Sequence, residues 1–197
     1  MIKHVEQRVG VFVDVQNMYY SAKNLYDRHV NFANILEEAV AGRKLVRATA
    51  YTIVSESQEE KAFFEALRQQ GFELRSKDLQ IFPGGVKKGD WDVGIAVDAI
   101  KMSQHMDVIV LVTGDGDFLP LVQFLRYHGL LVELIAFKKT TSSKLLEEVD
   151  DFIDLSGNTR KFLMKKLAGR AKPHLWSRPT TSRQTASQQT SGWHKES

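Results

Sequence analysis

Three separated stretches of the chain place carboxylates where the backbone is expected to change direction. They are Asp14 in FVDVQN, Asp90, Asp92 and Asp98 in KKGDWDVGIAVDAI, and Asp115 and Asp117 in LVTGDGDF. Each has an ordinary reading: Asp and Asn at a strand exit cap the next helix, and Gly with Asp forms tight turns. Gathered in space, the same groups would repel one another, and a bound divalent cation would remove that cost. Mg²⁺ and Mn²⁺ prefer carboxylate and water oxygens. The chain has no cysteine, and its six histidines (4, 29, 105, 128, 174, 194) show no close metal-binding spacing. Two such ions roughly 4 Å apart ionise an attacking water and stabilise a leaving alkoxide, so phosphodiester hydrolysis needs no side-chain nucleophile.

On this reading Asp14 is a metal ligand and Asn17 orients a water or phosphate oxygen, although either residue also suits a helix cap. Asp92 falls in the first turn of a helix, where an acid complements the dipole. Asp98 follows about a turn and two-thirds later, where solvent exposure explains it equally well. Gly114 and Gly116 let the backbone turn so that Asp115 and Asp117 face one site. Two other motifs fail. Gly84, Gly85 and Gly89 with Lys87 and Lys88 do not make a phosphate-cradling loop, because Gly89 is followed by Asp90 and Trp91. GDGDFL lacks the third glycine of a dinucleotide fingerprint. Lys87 and Lys88 remain candidates for nucleic-acid backbone contact, or a solvated basic loop.

Alternating strands and helices must position these residues. The buried runs are VGVFVDV (9–15), KLVRATAYTIV (44–54), DVIVLVT (107–113) and LLVELIAF (130–137), with FELRSK (72–77) a partly exposed strand. Helical stretches lie between them at 18–27, 31–40, 56–71, 91–104 and 118–128, followed by SSKLLEEV. LQIFPGGVKKGD reads as a loop or hairpin, and DFIDL as an added edge strand. The alternation predicts an α/β fold with a mostly parallel sheet of about five strands in the order 3-2-1-4-5 and helices on both faces. In that order strands 1 and 4 are neighbours, and their C-terminal ends open on the crevice where winding reverses. Asp14, Asp115 and Asp117 fall there.

At 197 residues and 43% hydrophobic content the chain can bury one sizeable core, with an appendage. No segment approaches the roughly twenty apolar residues of a membrane span, and the apolar stretch before Asp14 is too short for a signal sequence. A soluble cytoplasmic protein is expected. The net charge of +3 hides an asymmetry: from Asn158 onward nine Lys/Arg face Glu196 alone, while residues 1–157 carry 18 basic and 23 acidic side chains. Residues 158–197 are read as a basic helix followed by a disordered tail poor in aliphatic residues. Trp176 and Trp193 among its cations suit stacking on a single strand, or merely punctuate a solubilising linker.

FVDVQN, KKGDWDVGIAVDA and VTGDGDF, in this order, resemble the NYN domain family, particularly its LabA-like (DUF88) branch, over roughly residues 8–156. The resemblance implies a Rossmann-like fold similar to PIN and FLAP-type nucleases and a metal-dependent ribonuclease using Mg²⁺ or Mn²⁺. Asp14, Asp92, Asp115 and Asp117 would form the acidic metal site, with Asn17 nearby, Asp98 as a possible further member and Thr113 as a supporting hydroxyl. RNA, preferably single-stranded, is the implied partner, with no membrane and a possible homodimer. Some relatives look regulatory, so a catalytically weak RNA-binding module of the same fold is the alternative. A haloacid-dehalogenase phosphatase would want Asp-x-Asp after its first strand, whereas this chain has Asp14-x-Gln16.

Overall fold

The computed structural model describes residues 2–54, 58–78, 80–81, 87–88 and 90–165. The described chain runs β1 (Arg8–Asp14), α1 (Val15–Tyr26), α2 (Phe32–Val40), β2 (Lys44–Val54), α3 (Gln58–Gln69), β3 (Glu73–Asp78), β4 (Gln80–Ile81), β5 (Lys87–Lys88) and α4 (Asp92–Ser103). It continues through β6 (Val108–Val112), α5 (Leu119–Tyr127), β7 (Leu131–Ala136), α6 (Ser143–Glu148), β8 (Asp151–Asp154) and α7 (Thr159–Phe162). Six strands form one sheet in the order β3-β2-β1-β6-β7-β8, every pair parallel. Counted within that sheet the order is 3-2-1-4-5-6. The expected five strands are all present, and DFIDL supplies the sixth by pairing Asp151–Asp154 with Glu133–Ala136.

Alternation along each strand divides the core between two faces. Val9, Val11 and Val13 of β1 and Val108, Val110 and Val112 of β6 pack with α1, α2 and α3 through Met18, Ile35 and Leu67. Phe12, Ile109 and Leu111 point the other way, toward Ile95 and Ala99 of α4 and Leu121 and Leu125 of α5. Fully burying side chains of this size contributes roughly 1.5–3 kcal/mol each, enough to hold a sheet sandwiched by helices against its conformational entropy. Among the described residues no helix is long and apolar enough to cross a membrane.

Two local features depart from the pattern expected of the sequence. Helix α1 starts at Val15, directly after β1 and earlier than its apolar spacing suggests, because Asp14 caps it. The first residues after 157 pack on the domain through their apolar side chains: Asn158 caps α7, Phe162 and Leu163 are buried while Arg160 is exposed, and the Phe162 carbonyl accepts from Asn31 N–H at 2.8 Å. Arg28 ties the same segment down through the carbonyls of Leu163 and Met164, at 2.9 and 2.8 Å. The tail from 166 onward, with Trp176 and Trp193, lies outside the described residues, as do 55–57 at the start of the expected third helical stretch.

Candidate metal centre

The β1–β6 register places Val13 beside Val112, so Asp14 and Thr113 leave the sheet side by side. Asp14 Oδ1 accepts from Asn17 N–H at 3.0 Å, which starts α1, and Asn17 Oδ1 accepts from Gly114 N–H at 2.9 Å across the crevice. Asn17 therefore clasps the first loop to the fourth. Thr113 is buried, and its hydroxyl accepts from Asp115 N–H at 3.2 Å. Asp115 Oδ1 in turn accepts from Asp117 N–H at 3.0 Å and caps the 3₁₀ turn Gly116–Phe118, which Phe118 anchors in the core. Each capping carboxylate commits one oxygen to the backbone. The turn-residue reading and the ligand reading thus apply to the same side chains.

Asp92 reaches the crevice from the first turn of α4. Trp91, just before it, donates from Nε1 to the Thr52 carbonyl at 2.7 Å and meets Tyr51 edge-on with ring centroids 5.2 Å apart. Gly94 leaves room for the indole, since a Cβ there would sit 2.5 Å from Trp91 Cε3. The Lys77 ammonium lies over the indole at 4.2 Å and donates to the Asp90 carbonyl at 3.1 Å. These contacts fix the helix start and hence its first carboxylate.

Asp92, Asp115 and Asp117 each offer a carboxylate oxygen, and these oxygens lie within 4.8 Å of one another. Asp14 adjoins the trio. Burial first, then the charges of Asp92 and Asp115, push its carboxyl up to about 7, against the opposing hydrogen bonds from Asn17 and Gln16 N–H. The Asp92 carboxyl is also raised, by burial foremost and then by Asp115, Asp90 and Asp117, while Lys77 acts in the other direction. Asp98 stands apart from this group. It accepts from the Tyr51 hydroxyl at 3.0 Å and pairs with Arg75 at 3.8 Å. Lys87 and Lys88 form the short β5 paired to β4, as the hairpin reading expects, and their side chains lie outside the described part.

Gly114 and Gly116 are needed for a reason other than a left-handed turn, since neither has a positive φ. A Cβ on Gly114 would meet the Thr140 carbonyl oxygen at 2.8 Å, and one on Gly116 would meet Ser142 Oγ at 2.9 Å. The segment after β7 is pressed onto the acidic loop, and Ser142 N–H donates to the Gly114 carbonyl at 3.1 Å. Gly114→Ala is therefore expected to cost roughly 1–3 kcal/mol of stability, because backbone must move to admit the methyl. Urea unfolding of the purified variant measures it; an unchanged midpoint would mean the two loops separate freely.

Four comparisons bear on this arrangement. The NYN domain model matches residues 8–156. Low amplitude and bright protein LabA of Synechococcus elongatus (strain ATCC 33912 / PCC 7942 / FACHB-805) is 29% identical over 170 residues, covering 80% of this chain and 88% of that protein. An uncharacterised protein of Methanocaldococcus jannaschii is 26% identical over 170 residues, covering 85% of this chain and 62% of its own. The crystal structure of a protein of unknown function from Vibrio parahaemolyticus RIMD 2210633 superposes with a TM-score of 0.75 at 32% identity, over 83% of this chain and all of that one.

Proposed function

The chain belongs to the NYN domain family, and from that membership we propose that it is a divalent-metal-dependent ribonuclease that hydrolyses phosphodiester bonds of single-stranded RNA in the cytoplasm. Membership points to nuclease-type chemistry. One observation carries the finer reading: Asp92, Asp115 and Asp117 meet within 4.8 Å at the crevice between β1 and β6, beside Asp14.

The residues present fit a hard cation. The donors are all carboxylate oxygens, and burial and mutual repulsion hold Asp14 and Asp92 above the ordinary carboxylate range, a cost that a positive charge removes. Asp92, Asp115 and Asp117 would hold it, with Asp14 adjoining. When bound, Mg²⁺ or Mn²⁺ supplies the acidity that ionises a water and the charge that offsets the phosphodiester oxygens. The chain's own task is placement. Asn17 holds the exits of β1 and β6 together, Thr113 orients the Asp115 backbone, and Trp91 fixes the start of α4. Phe118, the buried last residue of the turn, anchors it in the core.

Purified protein is expected to cleave single-stranded RNA in Mn²⁺ or Mg²⁺ and to stop in EDTA, read as product bands on a denaturing gel. RNA retained uncut across metals and sequences would reject the nuclease and favour the RNA-binding module. Metal should also stabilise the fold: at a hundredfold excess over Kd, by about 2.7 kcal/mol, seen as a rise in Tm that EDTA reverses. A Tm indifferent to both metals would remove the cation from the account.

A further inference from the structure

The segment after β7, KKTTSSK, carries Lys138, Lys139 and Lys144 within seven residues and no acid. It leaves the sheet as a 3₁₀ turn, Lys138–Thr140, and enters α6 at Ser143. Its position against the carboxylates is fixed from several directions. Ser142 N–H donates to the Gly114 carbonyl at 3.1 Å, the Thr140 hydroxyl bonds Ser21 Oγ at 3.0 Å, and the Thr141 hydroxyl donates to the Phe137 carbonyl at 2.9 Å. The three lysines are exposed; Lys138 interacts electrostatically with Asp154, and among the described residues Lys139 and Lys144 form no salt bridge. Ser142 Oγ lies against Gly116, between Asp115 and Asp117, and is bonded to no described residue.

A cluster of carboxylates repels a polyanion, so an RNA strand stays at the centre only where cations close by hold its phosphates. Lysines committed to salt bridges serve poorly. Lysines that are exposed and carried on a loop locked to the acidic turn, with at most a distant acid such as Asp154 facing Lys138, serve well, and they concentrate on the β7 side of the crevice. On the β3 side Lys77 sits beyond Asp92, over Trp91. We propose that the β7–α6 loop is the phosphate-holding bank of the site, with Lys138, Lys139 and Lys144 contacting the RNA backbone and the Ser142 hydroxyl donating to the phosphate nearest Asp115. The identity of the polyanion rests on the ribonuclease reading above; the placement of its phosphates rests on this loop.

The test is binding of a fluorescein-labelled oligouridine to the full chain, with Ca²⁺ in place of Mg²⁺, over a range of salt. Changing Lys138, Lys139 and Lys144 together to Ala is expected to weaken binding at least tenfold at low salt. It should also reduce the slope of log K against log salt by about 2, since each phosphate contact on a single strand contributes about 0.7. Lys61→Ala with Lys101→Ala, on exposed faces of α3 and α4, is expected to leave both unchanged. Ser142→Ala should leave affinity within about twofold and slow cleavage about tenfold or more in Mn²⁺, as loss of one phosphate-directed donor does. Unaltered affinity and slope in the triple variant would overturn the proposal, even with cleavage intact. Loss of binding by the triple variant of a protein that never cuts RNA would keep this surface and discard the nuclease.

Discussion

Asp115→Asn is expected to lower the rate of RNA cleavage about a thousandfold or more while leaving the protein folded and at least as stable without metal. The substitution isolates charge from shape. Asp115 Oδ1 accepts from Asp117 N–H at 3.0 Å, and an Asn carbonyl oxygen in the same rotamer keeps that bond, so the 3₁₀ turn and the seat of Phe118 persist. What disappears is one negative charge among oxygens packed within 4.8 Å. That charge helps hold the Asp14 and Asp92 carboxyls high, so the variant relieves repulsion in the metal-free state and raises Tm in EDTA. The same loss weakens any divalent cation, and a factor of a thousand in rate corresponds to about 4 kcal/mol. Single-turnover cleavage and a melt in EDTA decide it together; a variant that cuts RNA at the unmodified rate removes Asp115 from the site.

The sign of the pH dependence follows from the same groups. Asp14 binds its proton more tightly in the folded than in the unfolded chain, because its folded value is raised to about 7 from an ordinary 3.8. The stability it lends is thus complete below about 4 and is lost as pH rises through about 7. Metal-free protein should unfold more readily at pH 8 than at pH 5 on this account, and Asp115→Asn should narrow the gap. Equal Tm shifts with pH in both proteins would mean that the repulsion is screened by solvent.

Much of this architecture was legible in the sequence because the strands are nearly unbroken apolar runs separated by helical periodicity. For a parallel sheet buried on both faces, right-handed crossovers leave a handful of strand orders, and 3-2-1-4-5 is among the common ones. The convergence of Asp14 with the aspartates after β6 follows from that order. Asp98 was less legible, although its spacing held the information: six residues at 3.6 per turn carry a side chain about 120° round the helix from Asp92. It lands on the Tyr51 and Arg75 side. In the sequence the two glycines of GDGD suit a turn, yet in the structure they serve a contact with a segment some 25 residues further on. Nothing local distinguishes those cases. KKTTSSK carried no motif, and its place beside the carboxylates emerges only when β7 is laid next to β6.

Glu133→Gln is expected to destabilise the domain by about 3–5 kcal/mol, the cost of leaving a buried charge without its partner. Glu133 and Arg43 side chains are both 0% exposed, on the face of the sheet covered by α1 and α2. The guanidinium donates to both carboxylate oxygens, at 2.6 and 2.9 Å, and also to the carbonyls of Ala39 and Val40 at 2.7 and 3.1 Å. Lys3 approaches Glu133 Oε2 at 3.2 Å. One side chain therefore closes the C-terminal end of α2 and ties it to a strand of the other half of the sheet. A glutamine amide of the same size must turn an NH₂ toward the guanidinium and leaves Arg43 charged in the core. Arg43→Met strands Glu133 in the same way, with Lys3 as a partial rescue. The double change Arg43→Met with Glu133→Leu removes both charges, so it should cost far less than the two single changes added, about 1 kcal/mol remaining for the Ala39 carbonyl, since the Val40 carbonyl keeps the backbone N–H of residue 43. Urea midpoints of the three variants measure this coupling, and strict additivity would show that the pair contributes nothing jointly. Cleavage per folded molecule should be unchanged throughout, since Glu133 lies toward the start of β7 and the carboxylates gather beyond the strand ends. A fall in that rate would mean that α2 and β7 set the position of the loop that meets Gly114.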